Sequence, residues 1–110
     1  MSEWVRVASV DDVKPGEVIQ VYVNDEPIAL SNVGGDFFAI SDTCSHEYVM
    51  LSEGWLDEHD IECPQHGSRF DVRTGAVDGL PATQPVDAFE IKIENNEVFV
   101  GELKTRSQNV

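Results

Sequence analysis

A chain of 110 residues is long enough for one compact domain with its own core and too short for two. Acidic side chains outnumber basic ones 21 to 7, a formal charge of −14, which argues against nucleic acid or an anionic membrane surface as partner and for a basic protein patch. No apolar run reaches the about 18 residues that a membrane helix needs, and Met1-Ser2-Glu3-Trp4-Val5-Arg6 lacks the positive start and apolar stretch of a secretory signal, so a soluble, cytoplasmic protein is expected.

Along the chain, short runs of Val, Ile, Phe and Tyr between turn residues predict an all-β domain built of hairpins. Ser9 to Val13 can form one helical turn capped by Ser9 or Asp11. After the turn Lys14-Pro15-Gly16, Glu17 to Val23 alternates as a strand, with Val18, Gln20 and Tyr22 opposite Ile19, Val21 and Val23. Ile28 to Val33 and Asp36 to Ile40 flank Gly34-Gly35, a pair suited to the positive φ angles of a two-residue hairpin turn. Ser41 to Gly54 reads as a loop. Trp55 to Asp57 with Asp60 to Cys63 is a short hairpin, and Phe70 to Val72 pairs with Ala76 to Val77 across Arg73-Thr74-Gly75. Asp78 to Pro85 holds two prolines and no usable period, which predicts a stiffened loop. Ala88 to Glu94 and Glu97 to Gly101 flank Asn95-Asn96 as another hairpin, and Lys104 to Val110 is polar enough to fray.

The chemistry lies in the middle. Cys44 and His46, then Cys63 and His66 after sixteen intervening residues, form Cys-x-His and Cys-x-x-His pairs that use both cysteines of the chain. Each pair sits on a loop leaving a strand. Two thiolates and two imidazoles can divide between the irons of a 2Fe-2S cluster, sulfur on one and nitrogen on the other. Neutral imidazoles in place of anionic thiolates raise the potential from the ~−400 mV of an all-cysteine plant-type cluster towards ~−150 mV or above. The same four donors would also suit a tetrahedral zinc ion, although zinc fingers usually group like ligands together rather than mixing them in each pair. A disulfide between Cys44 and Cys63 would consume the groups the motif needs.

Cys44-Ser45-His46 with Cys63-Pro64-Gln65-His66-Gly67 resembles the Rieske family, whose pattern is Cys-x-His, a gap of about this length, and Cys-x-x-His-Gly. The likeness continues through Leu51-Ser52-Glu53-Gly54, Phe70-Asp71, Thr74-Gly75 and the proline loop at Leu80-Pro81. From Trp4 to Val100 the chain is similar to the Rieske-type ferredoxins of bacterial ring-hydroxylating dioxygenase systems. The resemblance implies an antiparallel β-sandwich over residues 1–110, with a small cluster-binding subdomain at about 41–82 and a frayed tail at 104–110. It implies that Cys44 and Cys63 hold the buried iron of one Rieske-type 2Fe-2S cluster, and His46 and His66 the outer one. Respiratory Rieske proteins add a cysteine to each ligand loop, where this chain has none. They also use a serine and a tyrosine hydroxyl to hydrogen-bond the cluster; here Ser68 is kept and Phe70 replaces the tyrosine, which implies a potential nearer ~−150 mV than ~+300 mV.

A terminal oxygenase would need a second iron site, usually two histidines and a carboxylate, and His59 alone remains once His46 and His66 are assigned. The resemblance therefore implies an electron carrier, not an enzyme. It would take single electrons from a flavin-containing ferredoxin reductase and pass them to a terminal oxygenase. The Rieske-like small subunit of an assimilatory nitrite reductase is the alternative. His59, in Asp57-Glu58-His59-Asp60, is expected on an exposed turn, and Trp4 and Trp55 are expected to pack rather than relay electrons.

Overall fold

The structure, a computed structural model, describes residues 4–42, 50–64, 69–79 and 86–105. Hairpin turns set its plan. Gly34-Gly35 (φ 62° and 102°) joins strands β3 (Glu26–Val33) and β4 (Asp36–Ser41). Asn95-Asn96 (φ 53° and 64°) joins β9 (Ala88–Glu94) and β10 (Glu97–Thr105) in the same left-handed conformation, which Asn tolerates better than most residues. Asn24-Asp25 makes a further such turn between β2 (Val18–Val23) and β3, so that β3 begins two residues before the expected Ile28.

With β1 (Val5–Ser9), these strands form an antiparallel sheet in the order β1-β10-β9-β4-β3-β2. Its halves meet where Ala39 and Ile40 pair with Phe89 and Ala88. A second antiparallel sheet runs β5 (Trp55–Asp57), β6 (Asp60–Glu62), β7 (Arg69–Asp71), β8 (Val77–Gly79). The all-β antiparallel architecture read from the sequence is the one observed. The turn at Ser9 is a 3-10 helix, Val10–Asp12, and the Asp12 carboxylate accepts the Ser9 N–H at 2.9 Å. A second 3-10 turn, Leu51–Glu53, lies inside the segment read as loop. β10 runs to Thr105, and residues 106–110 lie outside the described residues.

The hairpin of β7 and β8 is displaced from its expected register. Asp71 starts the turn: its carboxylate accepts the Arg73 N–H at 2.8 Å and its carbonyl the Gly75 N–H at 2.7 Å. Val72 consequently leaves the ladder and drops into the core, 1% exposed.

Strand β3 is buried on both faces, which explains its nearly continuous burial. Ile28 and Leu30 join Val21, Ala39, Val98 and Val100 inside the large sheet's curl. Ala29 and Ile40 face the other way, against Ile61 and Phe70 of the small sheet, and this second core holds the two sheets together. Phe70 and Ile61 are 0% exposed, each worth about 1.5–3 kcal/mol of apolar burial.

Candidate metal centre

Three chain segments end at one place. Cys63 follows β6 directly, is a free cysteine, and is 1% exposed. It shares the inter-sheet core with Leu51, which follows residues 43–49, and with Val86, which follows residues 80–85. The borders of both segments expected to carry ligands and of the proline loop thus converge on a single apolar cluster. The small sheet puts Cys63 there by register: Leu56, Ile61 and Phe70 form one inward-facing rung, so β6 leaves the sheet with its next inward position at residue 63.

Three contacts tie these borders together. Asp42 is 0% exposed, and its carboxylate accepts Ser52 N–H (2.6 Å) at one oxygen and Ser52 Oγ and Gln20 Nε2 (2.7 Å each) at the other. The Asp42 carbonyl also accepts the Leu51 N–H at 2.6 Å. Gly54, at the exit of the 3-10 turn, lies so close to β6 that a Cβ there would stand 1.8 Å from the Glu62 carbonyl oxygen. Similarly, a Cβ at Gly75 (φ 80°) would stand 1.9 Å from the carbonyl oxygen of Val86, whose N–H bonds to the Gly75 carbonyl at 2.9 Å.

The outward rungs of the small sheet carry Trp55, Glu62 and Arg69, then Asp57, Asp60 and Asp71. Arg69 bonds Asp57 at 2.6 Å and reaches Asp60 at 3.6 Å. Arg73 grips Asp71 through Nε (3.0 Å) and a terminal nitrogen (2.8 Å), and these hydrogen bonds hold the Asp71 carboxyl below its ordinary value against the opposing effect of burial.

Of the four expected ligands, Cys63 is placed by the structure; Cys44, His46 and His66 lie outside the described residues, as do Tyr48, Ser68 and Pro81. A free, buried thiol at the core end of the small sheet fits the inner-iron ligand of a mixed sulfur and nitrogen donor set. His59 lies on the expected Asp57–Asp60 hairpin turn but is half-buried rather than exposed: its ring is edge-on to Phe38 (centroids 5.9 Å apart, 76°), and its carbonyl accepts the Val72 N–H. It sits at the end of the β5/β6 hairpin remote from Cys63, because Asp57 pairs with Asp60 there and Trp55 with Glu62 at the other. Trp4 packs over Gly101 with the Lys92 ammonium 4.9 Å from its ring, whereas Trp55 is 52% exposed and contributes little packing. Asp42 and Gly54 have roles that sequence reasoning missed. Gly54 fell within the quoted Leu-Ser-Glu-Gly likeness, but nothing near Asp42 marked it.

Comparison with known proteins places this arrangement. Residues 3–90 match the family model described as Rieske [2Fe-2S] domain. The ferredoxin component of biphenyl 2,3-dioxygenase from Rhodococcus jostii (strain RHA1) is 44% identical over 95 residues, covering 86% of this chain and 89% of its own length. A solved complex of reduced oxygenase and oxidized ferredoxin in carbazole 1,9a-dioxygenase contains a chain that superposes with a TM-score of 0.86 at 42% identity, over 92% of this chain and 95% of that one. The nitrite reductase alternative has a structural counterpart, a putative NADH-dependent nitrite reductase small subunit from Mycobacterium tuberculosis, with a TM-score of 0.83 over 94% of this chain and 98% of that one. At 16% identity that likeness shows the fold alone. The chain belongs to the Rieske [2Fe-2S] family and is homologous to the ferredoxin components of aromatic-ring dioxygenase systems.

Proposed function

We propose that this protein is a one-electron carrier that takes electrons from a flavin-dependent ferredoxin reductase and delivers them to the terminal oxygenase of a ring-hydroxylating dioxygenase system. The observation that supports it most is the near full-length similarity to a ferredoxin solved together with its oxygenase. Cys44, His46, Cys63 and His66 would hold the one 2Fe-2S cluster, which supplies the reversible uptake of a single electron. The whole chain, 1–110, is one Rieske domain in this reading, with the cluster-holding part at about 41–82. No described helix is long and apolar enough to cross a membrane, and a cytoplasmic location accords with the reading.

The chain's own residues have defined tasks. Cys63 keeps the inner end of the site in the apolar core, and the ties at Asp42, Gly54 and Gly75 fix where each loop begins and ends. The buried Phe70 fills the core with no hydroxyl to donate, in keeping with a potential at the lower end of the range for Rieske centres, near ~−150 mV. The test is reconstitution with reductase and oxygenase, following oxygen uptake and product, with His66→Ala as control. Wild-type protein should contain iron and acid-labile sulfide and sustain turnover, and the variant should lose both. Unchanged electron flow in His66→Ala would overturn the assignment of His66.

A further inference from the structure

We infer that Asp42 is a positioning residue: its buried carboxylate clasps the two ends of the first ligand loop together, so that the segment carrying Cys44 and His46 starts and finishes in a preset frame. This rests on the cluster reading above.

The reasoning starts from cost. A carboxylate removed from water without partners is strongly unfavourable, so a fully buried aspartate persists only where its oxygens are satisfied. Here the Ser52 N–H, the Ser52 hydroxyl and the Gln20 amide satisfy them. The bonds are placed to join elements. Gln20 lies on β2, Asp42 follows β4, and Ser52 lies in the turn that ends the loop. Together with the Leu51 N–H on the Asp42 carbonyl, they pin residue 42 to residues 51 and 52 by side chain and backbone alike. An apolar residue at 42 would fill the space but leave the Ser52 N–H without its partner. The entropy of closing the loop is thereby met by the fold itself, before any ligand is bound. The Gly54 contact with Glu62 then carries this frame to the residue preceding Cys63.

The experiment compares anaerobically purified wild type, Asp42→Ala, Asp42→Asn and the double variant Gln20→Ala/Ser52→Ala. Three quantities are read: iron release to a chelator, the EPR g-values of the reduced protein, and amide exchange across β3 and β4. Asp42→Ala should release iron about 10- to 100-fold faster than wild type and shift or broaden the g-values, with β3 and β4 amides still protected. Asp42→Asn should recover to within about threefold, because the asparagine oxygen keeps the Ser52 N–H bond and Gln20 can turn its amide to suit. Wild-type g-values and release rate in Asp42→Ala would overturn the inference, as would loss of protection throughout the sheet with unaltered g-values. If Asp42→Ala fails to fold, the double variant decides, since it strips both side-chain donors from one oxygen and leaves the backbone ties. Release about threefold faster or more supports the clasp, and a wild-type rate refutes it. Wild-type protein lacking iron and sulfide would overturn the cluster reading itself, a result distinct from either outcome for Asp42.

Discussion

Gly54→Ala should damage this protein far more than an ordinary glycine-to-alanine change. The new methyl would lie 1.8 Å from the Glu62 carbonyl oxygen, 3.0 Å from its carbon and 3.2 Å from Pro64 Cδ. Side-chain β-carbons do not approach other atoms closer than 3.0 Å, so the two backbones must part by at least 3.0 less 1.8, or 1.2 Å. Glu62 has little freedom to retreat, being paired with Trp55 on one side and Arg69 on the other. Overpacking costs about 1–3 kcal/mol, and opening the Trp55–Glu62 rung adds about 0.5–1.5 kcal/mol for each hydrogen bond lost. The lower chain entropy of unfolded alanine offsets only about 0.4–1 kcal/mol of this. A net loss of about 1–4 kcal/mol corresponds to a fall in melting temperature on the order of 5–30 °C for a domain of this size. Gly101→Ala is the matched comparison. Its methyl would lie 2.6 Å from Trp4, but the obstacle is a 39% exposed ring that can swing aside, so the cost should stay under about 1 kcal/mol. Circular dichroism melts and iron content of the two variants provide the test. If Gly54→Ala melts as Gly101→Ala does and holds its full iron, the close approach of the turn to β6 is not a constraint on the fold.

Asn32 is 4% exposed, donates to the Val13 carbonyl at 2.7 Å and accepts the Gly35 N–H at 2.8 Å. Asn32→Ala orphans both groups and should cost about 2–4 kcal/mol, read from the urea midpoint; a loss under about 0.5 kcal/mol would show that these bonds do not matter. For Asp71, the folded-state value lies below the ordinary carboxylate value, so its stabilising contribution is present above the unfolded value and fades as pH falls through the folded one. Arg73→Ala should move the Asp71 titration up towards the ordinary value in carboxyl NMR and remove this acid-range contribution. An unmoved titration would show that the fork from Arg73 is not its cause.

The hairpins were legible because their turns carry residues that tolerate positive φ, with Gly34-Gly35 and Asn95-Asn96 both found where expected. Strand β1 was not anticipated. Val5-Arg6-Val7 is too short for its alternation to stand out, and what makes it a strand is β10, some ninety positions later, beside which Val5 pairs with Val100. The register of β7 and β8 depended on a side-chain-to-backbone bond from Asp71, which no periodicity encodes. Ligand spacing announced the chemistry of the site, and the structure adds where Cys63 sits. Asp42 was invisible for the reason that makes it useful: one acid among 21 looks like any other until the fold buries it. His59 misled in the opposite sense, since Asp-Glu-His-Asp reads as solvated while Phe38, from the other sheet, covers the ring.

The seating of Cys63 among Leu51, Ile61 and Phe70 would have a kinetic consequence for the cluster proposed above. If Cys63 holds an iron of the proposed cluster, few dipoles or water molecules on that side are free to reorient when the cluster gains or loses its electron, because close-packed hydrocarbon yields little. A small rearrangement cost between oxidation states lowers the barrier to transfer even when the driving force is slight. In that reading the stiffness of the packing around Cys63 would favour fast transfer, and loosening that apolar packing should slow exchange.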